Sequence, residues 1–121
     1  MTRIVLAALA AAALAAASLA VADPPVRFST CDHAGISSTV TKRHVNYLSA
    51  ATGLGCSQGQ HIARIWVHDH DCGAASCNIW EGRTAIAYCT SSKNSGTTHE
   101  WTTRCTRSGS TVVIIGWVRI G

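Results

Sequence analysis

Six cysteines, Cys31, Cys56, Cys72, Cys77, Cys89 and Cys105, constrain this chain more than any other feature. Whether they are thiols, metal ligands or cross-links decides what kind of domain can form. The residues before them bear on the choice. Residues 4–22 are apolar apart from Ser18, rich in Ala and Leu, preceded by Arg3 and closed by Ala20-Val21-Ala22. Small residues there occupy the two positions a signal peptidase reads. Asp23-Pro24-Pro25 follows, and a helix does not continue through such a pair. Residues 1–22 are therefore expected to be a secretory signal peptide. Residues 23–121 are expected to form a single exported domain, secreted and extracellular or periplasmic, with no membrane association after cleavage.

An even cysteine count in an exported chain reads as a disulfide framework. A zinc site would need thiolates in CxxC-type pairs, and no two of these cysteines stand that close. Three bridges at about 2–4 kcal/mol each would supply much of the stability of so small a domain. Spacing does not choose the pairing, although Cys72 and Cys77 are near enough to close a local loop. The formal charge of +4 falls to +3 once Arg3 leaves with the signal, too little to argue for nucleic acid or a membrane surface.

The hydrophobic pattern is mainly that of strands. Residues 83–90 (RTAIAYCT), 97–105 (TTHEWTTRC) and 111–120 (TVVIIGWVRI) are rich in β-branched and aromatic residues. They are separated by the turn signals Lys93-Asn94-Ser95-Gly96 and Arg107-Ser108-Gly109-Ser110, which predicts a meander. Residues 111–120 are the most apolar run of the exported part and the expected central strand. Gly116 within it marks a bulge or a close backbone contact. Val45, Leu48 and Ala51 recur at i, i+3 and i+6, so a short helix near 39–52, ended by Gly53 and Gly55, is the one helical candidate. The expected fold is a small, disulfide-stabilised antiparallel sandwich or barrel with that helix packed over it.

The chemistry-bearing stretch is His61 to Gly73, HIARIWVHDHDCG. Read as a strand, it alternates Ala63, Ile65 and Val67 against Arg64, Trp66 and His68. Continuing the strand to 71 would bury both Asp69 and Asp71, at several kcal/mol for each unpaired carboxylate. The strand is thus expected to end near His68 and to turn through Asp69–Gly73. Arg64, Trp66, His68 and His70 then form the candidate binding surface, with Trp66 as a recognition anchor between basic groups. The alternative is a Zn or Cu site, or a small metal- or histidine-dependent hydrolase, built on His68, Asp69 and His70. The sequence has no G-x-S-x-G motif, and oxidised cysteines are not nucleophiles. The favoured expectation is a cofactor-free binding or inhibitory module for an extracellular protein or carbohydrate. The intact mass of protein recovered from outside the cell checks the premise. It should match residues 23–121 less one hydrogen for each of the six cysteines.

Overall fold

The computed structural model describes residues 26–72 and 75–121, so the expected signal peptide lies outside the described residues. In chain order the elements are β1 (Phe28–Thr30), β2 (Ser37–Ser38), β3 (Arg43–Ala51), α1 (Cys56–His68), a 3-10 turn (His70–Cys72), β4 (Cys77–Glu81), β5 (Thr84–Lys93), β6 (Glu100–Arg107) and β7 (Ser110–Arg119). The strands form one antiparallel sheet in the order β1-β3-β7-β6-β5-β4, with β2 paired to the start of β3. Among the described residues the fold is mainly β with one helix, as expected, and the layer covering the sheet is that helix.

The meander β5–β6–β7 follows the sequence pattern closely. Its second connection is a two-residue loop in which Ser108 and Gly109 both take positive φ, 53° and 80°. That backbone matches the strand twist of a tight hairpin. β7 lies between β3 and β6, the central position its apolar sequence demands. Gly116 faces Tyr47, where β3 carries a bulge between Val45 and Tyr47. A Cβ on Gly116 would meet the Tyr47 Cβ at 2.9 Å, so the glycine permits the close approach.

The helix assignment is where the structure departs from the sequence reading. Residues 43–51 are a strand, and the stretch read as a strand, 61–68, is helical. The bulge is the physical reason for the first error. Asn46 is the extra residue, so Val45 and Leu48 both point into the core although they are three apart. A strand with a bulge thereby imitates the i, i+3 spacing of a helix. In α1 the buried residues are Gly59, Ile62, Ala63, Trp66 and Val67, a helical stripe. Local strand preference of Ile62, Ile65, Trp66 and Val67 yields to burial of that stripe against the sheet.

The core lies between α1 and the inner face of the sheet. Leu48, Val113 and Ile115 from β3 and β7, Ile79 from β4, and Ile62 and Trp66 from α1 are inaccessible to solvent. Cys89 and Cys105, directly opposed on β5 and β6, bridge across the inner face. The other two bridges tie down the helix. Cys56, its first residue, joins Cys31 beside β1, and Cys72, just after it, joins Cys77 at the start of β4. All six cysteines are paired. Helix and sheet come closest at Gly59, where an added Cβ would sit 2.7 Å from the Ala50 Cβ. Gly59→Ala should therefore destabilise the fold by about 1–3 kcal/mol through overpacking, despite Ala being the better helix former by about 1 kcal/mol. Urea unfolding followed by tryptophan fluorescence checks the sign.

Candidate functional site: the uncovered face of the sheet

The helix disperses the residues that the sequence pattern grouped. Trp66 is completely buried, so it does not belong to a surface with Arg64 and His68. The correction follows from the period: in a helix, residue 66 stands on the stripe of Ile62, not beside 64 and 68. Arg64 and His68, four apart, do share the exposed side of α1, together with His61. His61 is paired with Glu81 of β4. Asp69 is the helix C-cap residue, and its Oδ1 accepts the Asp71 N–H at 3.0 Å. His70 and Asp71 are exposed in the 3-10 turn. His68, Asp69 and His70 thus terminate a helix, and among the described residues no group of three His, Cys, Asp or Glu side chains is placed to hold a metal ion.

Trp66 instead forms part of an interior stack that the sequence pattern did not reveal. Its ring meets Trp117 edge-on at 5.3 Å, and Trp117 lies stacked on Trp101 at 5.5 Å. The guanidinium of Arg43, at the start of β3, sits 4.6 Å from the Trp66 ring centre. Arg43 is only 4% exposed, and its Nη1 donates to the Trp66 carbonyl at 2.6 Å. Thr41 donates its hydroxyl to the Val67 carbonyl at 2.6 Å. Two carbonyls of the last helical turn are therefore capped from the β2–β3 connection, with a cation at the negative end of the helix. Burial lowers the Arg43 pKa, nearby Asp69 raises it, and Arg119 lowers it. An arginine nevertheless stays protonated in a protein. In the middle of the stack, the Trp117 indole donates to Thr103 Oγ1 at 2.8 Å, and Thr103 and Ser91 share a hydrogen bond of 2.7 Å.

With the helix on one side, the opposite face of the sheet carries the accessible aromatic groups. The inner residues Ile79, Ala87, Cys89, Cys105, Val113, Ile115 and Trp117 are buried, and their neighbours point the other way. Tyr47, Trp80 and Tyr88 lie on that outer side and are 44%, 53% and 45% exposed. Between them stand Thr90, Ser92, Thr102, Arg104 and Thr106 of β5 and β6. Two shallow concavities of ≈ 290 Å³ open along the strands. One is lined by Asn46, Tyr47, Asn94, Glu100, Thr102 and Gly116. The other includes Asn78, Tyr88, Thr106, Arg107 and Ser108. In the first, Thr102 donates to Asn94 Oδ1 at 2.7 Å. In the second, Arg107 Nε donates to the Ile86 carbonyl at 3.0 Å, which orients the guanidinium and leaves its two terminal nitrogens for other partners.

The sequence did hold a signal for this face. A cross-linked cysteine fixes the phase of its strand, because a bridge between directly opposed residues must lie on one side. Cys89 and Cys105 inward imply Tyr88, Thr90, Arg104 and Thr106 outward. No family model, curated protein or solved structure matches the chain.

Arg43 fixes the helix end against the inner side of the sheet. Arg43→Met should cost about 2–3 kcal/mol by removing a charge-assisted hydrogen bond and the helix-end cation. Arg43→Lys should recover only part of this, because an ammonium lacks the planar fork that lies over the tryptophan. Thermal unfolding of the two variants, with near-ultraviolet circular dichroism reporting the tryptophan stack, provides the check.

Proposed function

We propose that this protein is a secreted, disulfide-held binding module that engages an extracellular partner through the outer face of its sheet. The observation that carries this reading is the exposure of Tyr47, Trp80 and Tyr88 on the face that α1 leaves uncovered. Aromatic side chains offer large contact area with few rotatable bonds, so little conformational freedom is lost when they bind. The backbone beneath them is already ordered by the sheet ladder and by the Cys89–Cys105 bridge. Preorganisation of this kind supports affinity without any rearrangement. Export supplies the reading with its compartment, because disulfides persist in oxidising surroundings. Among the described residues no helix is long and apolar enough to cross a membrane. A partner that happens to be an enzyme would make the module an inhibitor by the same surface.

The test is the triple variant Tyr47→Ser, Trp80→Ser and Tyr88→Ser, compared with the parent protein against extracellular partners recovered by chemical cross-linking. The three side chains are already half in water, so the variant should melt within a few degrees of the parent. Its binding should weaken at least about tenfold, corresponding to about 1.4 kcal/mol. Undiminished binding by a folded triple variant would show that the partner docks elsewhere.

A further inference from the structure

We infer that the ligand of the outer face is an acidic polysaccharide chain, laid across the sheet between the two concavities. This rests on the reading of that face as the binding surface and assigns its ligand class. Three observations favour it over a protein partner.

The first is the distribution of polarity. A protein–protein interface concentrates apolar groups at its centre and polar groups at its rim. Here the middle of the face is mixed. Thr90, Thr102 and Arg104 stand there beside the half-buried Ile114 of β7, and the exposed aromatic rings stand towards its ends, Tyr47 on β3 and Trp80 with Tyr88 on β4 and β5. Separated rings with hydroxyl and amide groups between them suit a sugar chain. Pyranose rings stack their C–H faces on aromatic rings, and their hydroxyls exchange hydrogen bonds with Asn, Thr and Ser.

The second is repetition. Each concavity pairs a half-exposed tyrosine with an amide and a threonine: Tyr47 with Asn46 and Thr102, and Tyr88 with Asn78 and Thr106. Tyr47 aligns through Gly116 and Thr102 with Ser92, four residues along β5 from Tyr88. A strand spacing of roughly 4.8 Å and a rise of roughly 3.4 Å per residue put the tyrosines roughly 20 Å apart. Two similar sites at that separation fit successive units of a chain ligand.

The third is charge. Arg104 and Arg107 lie on or beside this face, with Glu100 as its one carboxylate among the described residues. The other acidic groups cluster around the helix. Asp69 caps it, Asp71 follows it, Glu81 pairs with its His61, and the Asp32 carbonyl accepts from its Gln60. The arginines therefore face the ligand unneutralised, and Arg107 is held by its Nε in an orientation that offers a fork to a carboxylate or sulfate.

Affinity electrophoresis in gels containing polygalacturonate, heparin or dextran tests the inference and separates carboxylated from sulfated chains. Retardation by polygalacturonate or heparin, and none by dextran, is expected. Arg104→Gln and Arg107→Gln should each raise the dissociation constant about fivefold or more, as charge-assisted contacts are lost. Lys93→Gln makes the same change in net charge at a strand end whose side chain points to the opposite face, and should have under about a twofold effect. Tyr88→Ala leaves the charge unchanged and should weaken retention about tenfold. Melting curves confirm that each variant is folded. Equal losses for Lys93→Gln and Arg104→Gln, or full retention by Tyr88→Ala, would reduce the effect to diffuse electrostatics and overturn the inference. Mobility unchanged by all three polymers would overturn it too. The broader reading of the face then survives only if the triple aromatic variant loses a protein partner, and both fail if it does not.

Discussion

The contact between Arg43 and the end of the helix is the interaction on which the architecture turns. One side chain joins three parts of the structure that are distant in sequence. Its backbone belongs to the start of β3, its Nη1 holds the Trp66 carbonyl, and its guanidinium lies over the Trp66 ring near Trp117. A cation in so buried a position costs free energy unless its charge is met. Here it is met by the carbonyl, by the negative end of α1, by the π-faces and by the field of Asp69. The sharp turn before it is part of the same arrangement. Lys42 takes a positive φ of 61°, an unfavoured backbone for a lysine, between Thr41 and Arg43. That conformation places both neighbours at the helix end, where each caps a carbonyl.

The disulfides act on the same helix from its two ends. Cys56 begins α1 and Cys72 closes the turn after it, so the bridges to Cys31 and Cys77 anchor the helix to the β1 side and the β4 side of the sheet. A single 13-residue helix is marginal alone in water. Cross-links at both ends restrict the unfolded chain, and the Gly59–Ala50 contact lets the two layers approach closely once joined. The third bridge, Cys89–Cys105, lies within the sheet and under its outer face. A cross-link thus lies directly beneath residues that are available to a ligand.

Strands and cross-links were legible in the sequence because their signals are local. Thr-rich and β-branched runs punctuated by Asn-Ser-Gly and Ser-Gly mark β5, β6 and β7, and the even count of six cysteines without CxxC-type pairs marks the bridges. The helix was misplaced because two non-local facts override local pattern. The bulge at Asn46 shifts the side-chain phase of β3, which cannot be inferred without its partner β7. The β-branched residues of α1 accept helical backbone because the sheet needs a cover, and Ile62–Trp66 and Ala63–Val67 are the i, i+4 pairs that fit it. This error propagated to the candidate surface. Alternation put Trp66 beside Arg64 and His68, and the helical period turns it inward. The His-Asp-His-Asp run is the polar end of that helix with its cap and the 3-10 turn that follows.

One-sided layering links these points to function. An antiparallel sheet with a single helix has two different faces, one packed and one wet. The packed face takes the large apolar residues and three of the four tryptophans, Trp66, Trp101 and Trp117. The wet face needs no large aromatic group for folding, since hydroxyl-bearing residues suffice for a solvated β surface. Thr90, Ser92, Thr102 and Thr106 of β5 and β6 serve it in that way. Tyr47, Trp80 and Tyr88 depart from that pattern, and core packing does not account for them. Their apolar surface stays in water in the free protein, a cost offset when a ligand covers them. The same asymmetry accounts for the position of the arginines. Among the described residues only the Arg43 side chain is an arginine drawn into the interior, where the helix end receives it, while Arg104 and Arg107 remain on the side opposite α1.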